Sequence, residues 1–233
     1  MITRRREFLL AGAALGIGGA AGRTLLAADA EKPAEDVSAV EDLMREHGVL
    51  RRLLLVYEEC VKRFRKNDVH IAVKALAAAN ELVHHFVEEY HEKLEEKYIF
   101  PEFEKHSQLV PLVKTLLKQH AAGRILTVHL GTVLNKTGYF DDKLNGKIAE
   151  SCEAFIRMYR PHAAREDTVL FPALKKLLSA KQLDELGDKF EDEENRRFGA
   201  DGFGKTVERV AAIEKELGIY DLAQFTPKPT KWQ

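Results

Sequence analysis

Two short segments of the chain repeat one arrangement of ionisable groups. His91 is followed four residues later by Glu95 and then by Phe100-Pro101; His162 is followed by Glu166 and then by Phe171-Pro172. In both copies the Phe stands five residues after the Glu, with the Pro next, an internal repeat of the kind that marks a duplicated structural unit. Residues four apart on a helix lie one above the other on one face. An imidazole nitrogen and a carboxylate oxygen at that spacing can reach one metal ion, or two adjacent ones. His47 and His120 stand alone, but each follows two apolar residues by four and three, Leu43 and Met44 in one case and Leu116 and Leu117 in the other. That period puts both on inward faces. The stripes Val87, His91, Leu94, Glu95, Tyr98 and Phe155, Tyr159, His162, Glu166, Val169 carry both glutamates inward as well. An unpaired buried carboxylate is costly by several kcal/mol, and a metal cation supplies the missing charge. The candidate metal ligands are therefore His47, His91, Glu95, His120, His162 and Glu166.

Long helices are needed to position them. A first helix is expected over 38–66, opened by a capping box at Ser38-Ala39-Val40-Glu41, and a second over 69–105, with Asp68 as its N-cap. A third is expected over 109–135, with Pro111 tolerated in its first turn, and a fourth over 142–178. Asn67-Asp68 and the segment around Gly138 read as turns. The short connections predict an all-α, up-down-up-down four-helix bundle over residues 36–178. A C-terminal helical extension follows over 179–233, comprising a helix over 179–197, a break at Gly199 to Gly204, a helix over 206–217 and a tail from Thr226. Counting the rise of about 1.5 Å per residue from each turn brings the four histidines to a common level, the largest mismatch being about 7.5 Å.

The four-helix layout, a lone His on the first and third helices, and His-x-x-x-Glu with Phe-Pro on the second and fourth resemble the hemerythrin-like (HHE) proteins. The resemblance spans residues 36–178. It implies a non-haem di-iron centre held by His47, His91, Glu95, His120, His162 and Glu166, with bridging carboxylates and an open position for O2 or a related small ligand. Oxygen-carrying hemerythrin has His-x-x-x-His on the third helix, where this chain has His120 followed by Arg124. Its fourth helix also spaces the carboxylate five residues after the His rather than four. The remaining set divides as two His and one Glu per iron, a donor set that suits redox turnover as well as carriage. Three functions follow: binding of O2, nitric oxide or peroxide; a di-iron oxidase or peroxidase-like oxidoreductase with an unknown redox partner; or a structural zinc or mixed-metal protein.

Other groups have plainer readings beside the functional ones. His84 shares the face of His91 but lies about 10 Å along the helix, and reads as a hydrogen-bonding residue rather than a ligand. His70, His106 and His129 read as surface residues. Tyr98 and Tyr159 fall near the ligand layer, as core packing or as donors to a bound ligand. Phe100-Pro101 and Phe171-Pro172 read as kinks that shape the metal end, and Pro161 either sets His162 or marks a bend. The run Glu191 to Glu194 reads as a solvated face.

The chain of 233 residues carries a net charge of −1. The first 30 residues hold four Arg against Glu7 and Asp29, so the rest of the chain carries −3. That leaves no basic face for nucleic acid. Arg4-Arg5-Arg6, the Ala- and Gly-rich stretch to Gly22 and Ala28-Asp29-Ala30 read as an export signal over residues 1–30, cleaved after Ala30. Arg5-Arg6-Glu7-Phe8-Leu9 resembles the twin-arginine signal, which implies the twin-arginine export machinery as a partner and a periplasmic or otherwise exported product. No later segment holds 18 uninterrupted apolar residues, so no further span is expected. Cys60 and Cys152 lack metal-ligand spacing, and their heights and directions leave a disulfide open.

Overall fold

A computed structural model describes residues 37–136 and 140–228. The expected signal at 1–30 lies outside the described residues, and so do Gly138 in the third turn and the end of the tail. Six helices make up the fold, with no strand among the described residues: α1 (Ala39–Arg65), α2 (69–105), α3 (Val110–Lys136), α4 (142–177), α5 (Ala180–Phe198) and α6 (Gly202–Leu217). A 3-10 turn, Leu222–Phe225, follows. The all-α class is as read from the sequence, with helix ends displaced by a residue or so, except that the last helix begins at Gly202. No described helix is long and apolar enough to cross a membrane.

Local chemistry sets the helix ends. Ser38 Oγ accepts the Glu41 N–H at 3.3 Å, and Glu41 and Asp42 lie in the first turn, where the helix dipole favours acids. Asn67 takes the left-handed conformation, φ 58°, that lets the chain reverse into α2. Asp68 does not cap α2, contrary to expectation; its carboxylate faces Arg63 at 3.4 Å instead. Asp141 caps α4 through the Leu144 N–H at 2.8 Å, and Ser179 with Gln182 forms a reciprocal capping box on α5.

α1 packs against α2 and α4, and α3 packs against the same two, so the first four helices close a ring around one core. Leu43, Leu50, Leu53 and Tyr57 of α1 meet Phe86, Tyr90 and Phe155 in it, all nearly inaccessible to solvent. Each fully buried side chain of that size contributes about 1.5–3 kcal/mol. The Tyr57 hydroxyl donates to Asn80 Oδ1 at 3.1 Å, and Asn80 Nδ2 donates to the Thr127 carbonyl at 3.1 Å, which ties α1, α2 and α3 through a satisfied buried network. Cys60 and Cys152 are both buried and form no disulfide.

α5 and α6 lie along α1 and α2. Phe198 meets Tyr90 edge-on at 5.4 Å, Arg52 Nε donates to Glu214 Oε1 at 2.9 Å, and Arg63 Nη2 donates to the Leu217 carbonyl at 2.9 Å. The acidic run of α5 is not wholly solvated: Glu194 is 2% exposed and accepts the Phe203 N–H at 2.7 Å, so it caps α6 from a neighbouring helix.

Both repeat-bearing helices widen. Over Val83–His91, Glu95–Ile99 and Glu166–Leu170 the backbone closes i→i+5 hydrogen bonds. The Phe100 N–H donates to the Glu95 carbonyl, and the Phe171 N–H donates to the Glu166 carbonyl. The five-residue Glu-to-Phe spacing is thus the span of one wide turn. The following prolines explain it: a Pro ring collides with the carbonyl four residues back, and one wide turn opens that space without ending the helix. Each such turn inserts a residue into the helical phase. The buried positions after the glutamates are therefore Ile99 and Leu170, both 0% exposed, and not the expected Tyr98 and Val169. Tyr98 turns away from the centre and meets Phe190 of α5 at 6.1 Å.

Candidate metal centre

All six candidate ligands come together in the core, none more than 4% exposed. His47 and His91 form one pair, ring centroids 4.7 Å apart, and His120 and His162 a second, 4.9 Å apart. The carboxylates lie between the pairs. Glu95 reaches His91 Nε2 at 3.7 Å with Oε1 and His120 Nε2 at 3.5 Å with Oε2. Glu166 Oε2 lies 3.3 Å from His47 Nε2 and 3.1 Å from His162 Nε2. Donor atoms of Glu95, His120, His162 and Glu166, and those of His47, His91 and Glu95, each fall within 4.8 Å of one another. The lone histidines are seated by the repeats: Phe171 stacks on His47 at 5.5 Å and Phe100 on His120 at 5.6 Å.

Every imidazole is anchored at its other nitrogen by an oxygen from the preceding helix of the ring. Asp167 of α4 lies 2.6 Å from His47 Nδ1, and Glu46 of α1 lies 2.7 Å from His91 Nδ1. Glu96 of α2 lies 3.2 Å from His120 Nδ1, and Gln119 of α3 lies 2.9 Å from His162 Nδ1. These four acceptors are each the chain neighbour of a candidate ligand. A proton held on Nδ1 leaves the Nε2 lone pair free to face the centre and makes it a better donor. Sequence reading missed all four. The signal was the polar residue beside each inward ligand, at a position that simple helical phase assigns to the flank.

The metal-free cluster is electrostatically divided. Burial disfavours charge on His47, but the hydrogen bond to Asp167 and the Glu166 carboxylate beside the ring raise it to about 9. Burial, with a charged His47 beside it, lowers His91 to about 3, and burial lowers His120 to about 4. Burial and the neighbouring Glu166 push Glu95 well above the carboxylate range; burial also works against Glu166, but His162 and His47 hold it below. His47 Nε2, His91 Nε2 and both oxygens of Glu95 and of Glu166 make no hydrogen bond among the described residues. Six orphaned buried donor atoms converging on one place fit a cation, which would satisfy them and displace the protons on Glu95 and His47. Imidazole with carboxylate suits divalent first-row metals.

A second polar group flanks the His120–His162 pair. The Tyr159 hydroxyl donates to Glu92 Oε1 at 2.6 Å, and Arg124 Nη2 bridges Glu92 at 2.7 Å and Glu96 at 2.6 Å. Burial pushes Glu92 up to about 8, against the Tyr159 and Arg124 contacts. Arg124 thus holds the two carboxylates that face His120 Nδ1. A cavity of about 220 Å3 between α3 and α4 has His162, Gln119 and Pro161 in its wall. α4 runs through Pro161 without a break, the residue being exposed there. His84 is 44% exposed in its side chain and outside the centre; His70, His106 and His129 are exposed.

The hemerythrin HHE cation binding domain matches residues 38–174, so the chain belongs to that family. Family membership and these His/Glu clusters together define a helical cation-binding protein. Two uncharacterized proteins, one of Mycobacterium tuberculosis and one of Mycobacterium bovis, are each 47% identical over 191 residues, 82% of this chain and 74% of their own length. No solved structure gives a significant match.

Proposed function

We propose that His47, His91, Glu95, His120, His162 and Glu166 hold two iron ions, and that the protein binds dioxygen or a related small ligand, nitric oxide or peroxide, at that centre. The observation that carries this reading is the sharing of Glu95 and Glu166 between the two histidine pairs: each carboxylate lies within 3.1–3.7 Å of one imidazole from either pair. Two cations held by these six residues would satisfy all six orphaned atoms. Iron, when bound, supplies redox electrons and open positions for a small ligand. The chain supplies the rest. The four Nδ1 anchors hold the rings in one orientation, the Phe stacks keep water off the lone histidines, and the α3–α4 cavity offers a small molecule an approach beside His162.

The Tyr159–Glu92 hydrogen bond next to His162 favours a second reading, a di-iron oxidoreductase using the same site, with this buried phenol–carboxylate pair beside it. Metal analysis of protein from its native host, with optical spectra of the reduced form before and after O2, tests both. Two irons per chain and an oxygenated spectrum that reverses under vacuum support binding. Rapid decay to the ferric form with consumption of substrate or peroxide supports turnover. Stoichiometric zinc in place of iron would make the centre structural.

We further propose export by the twin-arginine route, supported by Arg5-Arg6-Glu7-Phe8-Leu9 and by the small residues around Ala30. Replacing Arg5 and Arg6 by Lys should retain the protein inside the cell in a fractionation assay.

A further inference from the structure

Glu88 of α2 is a buried acid that takes no part in the centre. It is 1% exposed, and its Oε1, which has the Thr127 hydroxyl as a polar neighbour, makes no hydrogen bond of good geometry among the described residues. Its other oxygen lies 3.3 Å from His84 Nδ1. His84 in turn forms the wall of a surface cavity of about 410 Å3 between α2 and α3, together with Asn80, Glu81, His85 and Asn135. A buried carboxylate with an open oxygen is costly unless a cation reaches it at some stage. Glu88 also stands in a line. One turn further along α2, on the side facing α3, Glu92 lies 3.9 Å from His120 Nδ1, and His120 Nε2 lies 3.5 Å from Glu95.

We propose that the α2–α3 seam is the route by which divalent metal ions reach the buried centre, with His84 and Glu88 as the first stop. The inference rests on the reading of the centre as a two-metal site. A cation sheds its water only where protein oxygens or nitrogens replace it. The cavity supplies side-chain oxygens and imidazoles at the surface, His84 and Glu88 supply one nitrogen and one carboxylate behind them, and Glu92 continues the series inward. Two ligands make a weak site, suited to passing an ion on rather than keeping it. Arg124 occupies Glu92 and Glu96 at the next step, so an ion leaving Glu88 takes over carboxylate oxygens that the guanidinium releases.

Metal-free full-length protein mixed rapidly with cobalt(II) tests the route, because the visible absorption of bound cobalt reports its arrival without redox chemistry. The wild type is expected to take up two cobalt ions. His84→Ala, at a partly exposed position, and the isosteric Glu88→Gln should load several-fold more slowly and reach the same final absorbance. Thr115→Trp, which fills the α3–α4 cavity instead, should load at the wild-type rate. Wild-type loading rates in both seam variants, or slowing confined to Thr115→Trp, would overturn the route while leaving the centre intact. A wild type that takes up fewer than two cobalt ions would overturn the centre, and the route with it.

Discussion

Asp167 Oδ1 lies 2.6 Å from His47 Nδ1, while the preceding residue, Glu166, places Oε2 3.3 Å from Nε2 of the same ring. Two consecutive residues of α4 therefore hold both nitrogens of one imidazole on α1. Asp167→Asn keeps the shape and removes the charge. Outer partners of this kind are worth about 10–100-fold in metal affinity, so competition against a chelator should show a loss of that size. Unchanged affinity would mean that Asp167 serves only its other partner, Arg51.

Two glycine substitutions should act with opposite signs. A Cβ at Gly123 would stand 2.1 Å from the Tyr159 hydroxyl. Gly123→Ala should push Tyr159 off Glu92 and destabilise the fold by about 1–3 kcal/mol, as overpacking does. A Cβ at Gly146 meets nothing within 4 Å, and the residue lies inside α4. Gly146→Ala should stabilise by up to about 1 kcal/mol through helix propensity alone. Urea denaturation of the two variants beside the wild type measures both.

The cysteines should be chemically silent in the folded protein. Burial pushes the Cys60 thiol up to about 12 and raises Cys152 further. The thiolate is the reactive form, and with its pKa raised it stays absent as pH rises through the neutral range. A thiol reagent at pH 8 should label neither residue in the native state and both in denaturant without reductant. No labelling in denaturant would mean that the two have paired.

Glu194→Ala should loosen the C-terminal pair of helices without touching the metal. Loss of a cap costs about 0.5–2 kcal/mol, and here the capping acid reaches α6 from α5 at 2.7 Å. Hydrogen exchange should rise in the first turn of α6, and metal content should stay at the wild-type level.

The sequence carried the helices, their order and the six converging side chains, because His-x-x-x-Glu and the apolar steps before His47 and His120 are regular helical signals. It did not carry the phase after the glutamates. A uniform period of 3.6 puts Tyr98 and Val169 inside, whereas the wide turns forced before Pro101 and Pro172 put Ile99 and Leu170 there. The outer anchors were illegible for a related reason. Glu46, Glu96, Gln119 and Asp167 serve histidines on other helices, and a pattern read along one helix contains no information about its neighbour. Glu194 was hidden among acids that do face water, since only the packing of α6 singles it out.

The circle of Nδ1 contacts has no first member. α4 steadies the imidazole of α1, α1 that of α2, α2 that of α3, and α3 that of α4. A helix that drifts loses its own grip and releases the next one, so partial assembly gains little over none. Evolutionary change at such a centre must be concerted: an altered residue at one corner is felt first around the adjacent corner, and only paired exchanges on neighbouring rods keep the circle closed.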